Sequence, residues 1–353
     1  MDRYDLALIG FGGVNRALAE LIRDRGAELA GRLGFELRVV AITDLRFGSV
    51  MQPDGIDLGR VLAMGATETF AGMRGGNIQP RNEEVIRSST ADIVVEATFT
   101  NPVDGEPAVS HVRWALESGK HVTTTNKGPI ALAGSVLKRI ADDNGVTFEY
   151  EGSVLSGTPI LRFAKEQLAG LRLSGVQGIL NGTSNFVLGR MEAGLDLADA
   201  VAEAQKHGYA EADPTADIEG FDVQLKVAIL ANELLGANLS TDDIPRAGIS
   251  TVSAEDIVSA AREGKRWKLI GSAIRNADGS VTGRVTPIAV DAASALHGIS
   301  GPTNAVTFQT DLLGDVAVSG PGAGRLETAY ALLSDIIAID RSVRHERVSV
   351  SNV

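Results

Sequence analysis

An apolar run over residues 4–10 breaks into Gly10-Phe11-Gly12-Gly13, and Ala17, Leu18, Leu21, Ile22 and Leu29 then recur at helical spacing. A buried strand, a glycine turn and a helix in that order form the context in which G-x-G-x-x-G has meaning. Gly10 permits the tight turn, and Gly12 lets the backbone approach a pyrophosphate. The helix that begins near Gly13 and Val14 supplies amide donors for it. Asn15 stands at the third glycine position, so the fingerprint is incomplete.

Strands and helices alternate from there to about residue 150. Arg38–Thr43 reads as a second strand ending at Asp44. An acid at that place accepts hydrogen bonds from the adenosine ribose and favours NAD, whereas Arg46 suits the 2′-phosphate of NADP. Both cofactors stay open. Residues 47–80 read as an elaborated connection with one helix near Leu58–Met64. Ala91–Thr98 is a buried strand, residues 106–118 a helix, and His121–Thr125 a β-branched strand that ends in Asn126-Lys127-Gly128-Pro129. A helix over 128–143 and a strand over 146–149 follow. This order predicts a Rossmann-type, doubly wound parallel sheet, with ligands outside the carboxyl ends of its strands. Thr98 and Lys127 both stand at such ends. A surface lysine is the commoner reading of Lys127, but helix N-termini prefer anions, so a cation there asks for a local partner.

Glycines and a proline in Glu151-Gly152-Ser153-Val154-Leu155-Ser156-Gly157-Thr158-Pro159 argue against regular structure. Such a loop is either a hinge or, with its carbonyls and one carboxylate, a site for a hard cation. Beyond Ser174 the pattern changes to α+β. A strand over 176–180 leads into a polar turn, Asn181–Asn185, then helices over 186–191, 197–207 and 222–235. Strands follow over 266–275, 281–287, 305–310 and 316–319. Gly320–Gly324 is a second glycine turn before a final helix. At 353 residues the chain exceeds one ordinary core. The expected division is residues 1–150, completed by a helix from about 320 to 353, and residues 151–319.

Between Gly208 and Lys226 lie five carboxylates, Glu211, Asp213, Asp217, Glu219 and Asp222, before one cation. On a helix, Asp222 and Lys226 share a face. A solvated acidic loop is the bland alternative. A net charge of −12 argues against a nucleic-acid or anionic-membrane partner, and no apolar run is long enough to span a bilayer. The absence of cysteine rules out disulfides and thiolate metal sites and fits the cytoplasm.

Taken together, Gly10–Gly13, Gly119–Val122 with Asn126-Lys127, Glu151–Pro159, Gly178–Asn185, Gly208–Lys226, Asn304–Val306 and Gly320–Gly324 resemble homoserine dehydrogenase over nearly the whole chain. The likeness is to the short form, without a C-terminal regulatory domain. It implies NAD(P)-linked interconversion of L-homoserine and L-aspartate 4-semialdehyde, in threonine, methionine and isoleucine biosynthesis. By the same resemblance, Lys226 is the acid/base lysine and Lys127 the lysine between nicotinamide and substrate. Glu211, Asp217 and Asp222 hold the substrate beside Gly182 and Thr183. Phe11, Gly12, Gly13, Thr98 and Gly324 touch the cofactor. Glu151, with the carbonyls of Val154, Ser156 and Thr158, matches a sodium site, and residues 151–319 form the substrate-binding and dimerisation domain of a homodimer.

The chemistry asks for such groups. Oxidising a primary alcohol sends a hydride to nicotinamide and a proton to a base. A lysine's ordinary pKa of about 10.4 makes it a weak base at neutral pH unless burial or a second cation lowers it. The alternatives are another NAD(P)-linked amino-acid or semialdehyde oxidoreductase, and a non-catalytic NAD(P)-binding sensor. Two retained lysines argue against the sensor, which needs no proton relay.

Overall fold

A computed structural model of the protein describes residues 1–65 and 67–351. The chain divides into two compact units: Met1–Ser153 together with the chain from Gly324 onward, and Val154–Ala323.

The first unit runs β1 (Asp2–Ile9), α1 (Gly13–Leu33), β2 (Phe35–Asp44), β3 (Gly48–Met51), α2 (Leu58–Ala63), β4 (Gly76–Asn77), α3 (Asn82–Ser88), β5 (Ile93–Glu96), α4 (Ala108–Glu117), β6 (His121–Thr124), α5 (Lys127–Asp143) and β7 (Phe148–Glu149). The strand order is β4-β3-β2-β1-β5-β6-β7. From β2 through β7 all neighbours are parallel. The chain leaves β1 for β2 on one side and later adds β5, β6 and β7 on the other. With right-handed crossovers this puts helices on both faces and a switch point at the carboxyl ends of β1 and β5. Leu6, Leu8, Leu18, Ile42 and Ile93 are fully buried in the core between β1, β2, β5 and α1.

Residues 47–80 hold more than the one helix expected. β3 and β4 form an antiparallel edge on β2. Strands of four and two residues are too short to show an alternating pattern, so only pairing reveals them.

A helical turn, α6 (Gly152–Leu155), follows β7, where irregular backbone was expected. Ser156, at φ +51, ends it in the left-handed region. The second unit continues with β8 (Leu173–Ile179), α7 (Gly182–Glu192), α8 (Leu197–Lys206), α9 (Thr215–Ile218), α10 (Phe221–Leu234), α11 (Ala254–Arg262), β9 (Arg266–Arg275), β10 (Val281–Val290), β11 (Thr303–Thr310) and β12 (Gly314–Pro321). Its sheet is wholly antiparallel, ordered β10-β9-β8-β11-β12. Helices α7, α10 and α11 pack on it. The expected polar turn at Asn181–Asn185 is instead the cap and first turn of α7. The Asn181 side chain accepts from Ser184 N at 2.8 Å, which is what asparagine does at a helix start. The final helix, α12 (Arg325–Ser351), returns to the first unit, where it packs on α1.

Candidate active site

In the second unit the carboxyl end of β8 meets the start of α10. Gly220, at φ +79, turns the chain out of α9 and into α10, which sets Asp222 and Lys226 one turn apart. Lys226 is 5% exposed, and its Nζ donates to Leu180 O at 2.6 Å and to Asp222 Oδ2 at 2.7 Å. Asn181 Nδ2 donates to Asp217 Oδ1 at 2.6 Å and to Asp222 Oδ2 at 3.0 Å. One amide therefore ties together two carboxylates that would otherwise repel. Burial, and then the charge of Asp222, raises the Asp217 pKa above the usual carboxylate value, while Asn181, Lys226 and Thr183 pull it down. Thr183 Oγ1 also donates to Tyr209 O at 2.6 Å. Two acids, an amide and an amine in this arrangement suit a ligand that carries an ammonium group and a hydroxyl.

Glu211 is not brought into this cluster. Its residue is exposed, and its backbone carbonyl accepts from Gln205 Nε2 at 3.0 Å.

Two supporting roles escape a reading of the sequence, which shows Asn185 only as the end of a polar turn and does not single out Lys268. Asn185 Nδ2 donates to Gly301 O at 2.9 Å and Thr303 O at 3.3 Å. Lys268 Nζ donates to Asn185 Oδ1 at 3.0 Å and to Ile299 O at 2.5 Å. Lys268 is 1% exposed; burial first, and then the neighbouring charge of Arg266, pushes it down to about 8. Together they hold the 299–303 segment against the start of α7. The approach is close enough that a Cβ on Gly182 would lie 2.5 Å from Pro302 O. A lysine within Trp267-Lys268-Leu269-Ile270 is the one signal that was available.

In the first unit, Gly10 turns at φ +79, and a Cβ there would meet Ala97 O at 2.9 Å. Gly12 is the opposite case. A Cβ on it would find no atom within 4 Å, so the fold itself does not demand a glycine. Helix α1 starts just beyond it with no side-chain cap and no acid in its first turn. Bare backbone beside open amides fits the phosphates of a dinucleotide. A Cβ on Gly13 would touch the Arg325 side chain at 3.5 Å, and Val14 is partly buried.

Asn15 accounts for the missing third glycine. Its Nδ2 donates to Gly10 O at 2.7 Å, Ile9 O at 3.2 Å and Val95 O at 3.3 Å, pinning the turn to the ends of β1 and β5. Asp44 receives Phe11 N at 2.8 Å on one oxygen, and Arg46 N at 2.8 Å and Phe47 N at 3.2 Å on the other. Lys127 opens α5 behind the Asn126 cap. Thr98 follows β5, and Gly324, at φ +135, precedes α12. Of the proposed cation ligands, Glu151 belongs to the first unit, whereas Val154, Ser156 and Thr158 belong to the second. All four are buried. Thr158 Oγ1 donates to Pro321 O at 2.9 Å. Among the described residues no group of three or more histidine, aspartate or glutamate side chains could hold a metal.

The homoserine dehydrogenase family model matches residues 159–337, and the model for the homoserine dehydrogenase NAD binding domain matches residues 10–151. The chain belongs to the homoserine dehydrogenase family. An NAD(+)-dependent homoserine dehydrogenase of Pseudomonas canavaninivorans is 58% identical over 348 residues, covering 98% of this chain and 99% of that protein. A homoserine dehydrogenase of Methanocaldococcus jannaschii is 39% identical, with 96% of this chain and 99% of the relative covered. Among solved structures, a hyperthermophilic archaeal homoserine dehydrogenase in complex with NADPH superposes with a TM-score of 0.80 at 28% identity, over 96% of this chain and 98% of that one. The fold class and the oxidoreductase activity expected from the sequence are those of this family.

Proposed function

We propose that Lys226 carries the proton in the family's reaction and that NAD+ is the preferred acceptor. The enzyme interconverts L-homoserine and L-aspartate 4-semialdehyde with an NAD(P) cofactor. The observation that supports the role of Lys226 is the Asn181–Asp217–Asp222–Lys226 cluster, in which the side chains face one another at 2.6–3.0 Å.

When bound, the dinucleotide supplies the hydride acceptor. The chain's own residues hold the alcohol and move the proton. Lys226 Nζ, fixed by Leu180 O and Asp222, takes the hydroxyl proton on oxidation and returns it to the aldehyde oxygen on reduction. Asp217 and Asp222 pair with the substrate ammonium, and an arriving cation favours the ionised form of Asp217. Thr183 and Gly182 line that pocket. Gly10, Phe11, Gly12, Gly13, Val14, Thr98 and Gly324 contact the cofactor, and Lys127 serves both nicotinamide and substrate.

Asp44 favours NAD+ over NADP+. Its carboxylate is held at the end of β2 by three backbone amides, and a fixed negative charge there repels a 2′-phosphate. The NAD(+)-dependent relative at 58% identity supports the same choice. Glu151 and the carbonyls of Val154, Ser156 and Thr158 bind sodium. The working form is a cytoplasmic homodimer through the second unit, with no nucleic-acid or membrane partner. The net charge of −12 supports the absence of a nucleic-acid or anionic-membrane partner. Among the described residues no helix is long and apolar enough to cross a membrane.

The test is a set of initial rates with L-homoserine and either NAD+ or NADP+, with sodium or potassium as the salt. Equal kcat/KM for the two cofactors would overturn the Asp44 argument. Absence of turnover with homoserine would overturn the assignment of substrate.

A further inference from the structure

Glu96 closes β5 and is fully buried. A carboxylate taken out of water needs donors, and three come from the loop after β5 and the end of β6. Thr98 N, at 3.0 Å, and Thr98 Oγ1 both donate to Oε1, and Thr124 Oγ1 donates to Oε2 at 2.8 Å. Thr124 Oγ1 in turn accepts from Asn126 N at 3.0 Å. Asn126 Nδ2 donates to Phe99 O at 2.9 Å and Thr98 O at 3.3 Å, and its Oδ1 accepts from Gly128 N at 3.0 Å. The carboxylate is thus the knot between the two loops that leave β5 and β6.

Behind it sits His111 of α4, 1% exposed, with Nδ1 3.6 Å from Glu96 Oε1. Asn82 Nδ2 lies 2.9 Å from His111 Nε2, and Thr43 Oγ1 donates to Asn82 Oδ1 at 2.5 Å. Donation from Asn82 to Nε2 places the ring hydrogen on Nδ1, facing Glu96. Polar groups therefore line up beneath the carboxyl ends of the strands, from Thr43 on β2 to Thr124 on β6, and the one step longer than a hydrogen bond is the 3.6 Å approach of His111 to Glu96.

Apolar residues would fill this space without the desolvation penalty of a buried charge. What the carboxylate adds is direction. It only accepts, so both threonine hydroxyls must point inward. With its hydroxyl held there, Thr98 turns its methyl to the glycine turn, where a Cβ on Gly10 would lie 3.1 Å from Thr98 Cγ2.

We propose that Glu96 is a positioning residue for cofactor binding, setting the path of the 97–101 and 125–128 loops and so the placement of Thr98 and Lys127. This rests on the reading of that end of the sheet as the cofactor site. His111 supports the carboxylate from behind.

The experiment uses Glu96→Gln and Thr124→Val in the full chain, with NADH binding followed by its fluorescence. In Glu96→Gln the side-chain oxygen still meets Thr98 N, and the Thr124 hydroxyl can rotate to accept the new amide, so the fold is kept. The expected result is an NADH Kd raised about tenfold or more, with a parallel rise in the NAD+ KM. Tm should stay near the wild-type value, and homoserine KM should rise by a smaller factor than the NAD+ KM, since Lys127 also serves the substrate. Thr124→Val should shift NADH binding in the same direction by a smaller factor. An unchanged NADH Kd in Glu96→Gln overturns the inference, as does an equal rise in both KM values with a lowered Tm. Wild-type protein that bound no dinucleotide would overturn the cofactor reading and this inference with it.

Discussion

Lys226 donates to Asp222 across one turn of α10, at 2.7 Å, and that same oxygen takes the amide of Asn181. The amine is thus oriented from two sides while Leu180 O takes another of its hydrogens. Lys226→Ala removes the proton carrier but leaves Asp222 its bond to Asn181. Turnover should fall by roughly 10²–10⁴-fold, the usual worth of a general acid or base, with NADH affinity unchanged. Lys226→Arg should be as inactive, because a guanidinium does not give up its proton. Steady-state rates with a parallel NADH titration check both, and near-normal turnover in either variant would remove Lys226 from the reaction.

Gly10 and Gly12 should separate stability from binding. Gly10→Ala forces a Cβ into a left-handed position 2.9 Å from Ala97 O, and strain of that kind costs about 1–3 kcal/mol. Gly12→Val meets open space and should leave Tm nearly unchanged while weakening NADH binding, since the added side chain stands where the cofactor backbone would approach. Thermal melts beside NADH titrations read the two effects. A Gly12→Val protein with wild-type NADH affinity would place the pyrophosphate elsewhere.

How much of this is visible in the sequence depends on how local the cause is. β1 and β5 are buried on both faces and appear as unbroken apolar runs, Leu6–Ile9 and Ile93–Val95. β3 and β4, of four and two residues, are too short to leave a pattern, although Val50 of β3 is fully buried in the core. In the same way, Glu211 through Lys226 stands out because five acids crowd into one window. Asn185 does not, since what it holds in place, Thr303 O, lies 118 residues further along the chain. Asn181 reads as part of a turn because its capping bond to Ser184 is local, whereas its bridge between Asp217 and Asp222 spans 36 and 41 residues. Crowding of charge can be counted along a chain; convergence in space cannot.

Asn181 and Asp217 make opposite predictions for stability. Asn181→Ala removes the α7 cap, worth about 1 kcal/mol, and frees two acids to repel, so Tm and homoserine affinity should both drop. Asp217→Asn removes a carboxylate whose folded pKa is raised. Such a group stabilises the folded state fully below its unfolded pKa, and that contribution disappears as pH rises through the folded value. At neutral pH the variant should therefore melt above the wild type, and the gain should vanish in acid, below about pH 4. Homoserine KM should rise in the variant, and in the wild type it should rise as pH falls through the raised pKa, because a protonated Asp217 no longer pairs with an ammonium. Melts across pH together with homoserine KM decide it. A variant that melts lower at neutral pH would refute the assignment of Asp217 as a strained acid.

Lys268 supplies the alkaline counterpart. Its pKa is pushed down to about 8, so between there and the ordinary lysine value of about 10.4 the unfolded chain binds a proton that the folded one lacks. Stability rises with pH wherever the unfolded state holds more protons. The penalty of burying this cation is therefore present below pH 8 and is relieved above it, by up to roughly 3 kcal/mol. Lys268→Met has no such titration, although it leaves Asn185 Oδ1 and Ile299 O without their donor. The difference in unfolding free energy, wild type minus variant, cancels the titration of every other lysine and tyrosine. That difference should grow steadily from pH 7 to pH 10. Denaturant melts at several pH values measure it, and a difference that stays flat would mean that Lys268 holds the 299–303 segment with its proton retained throughout.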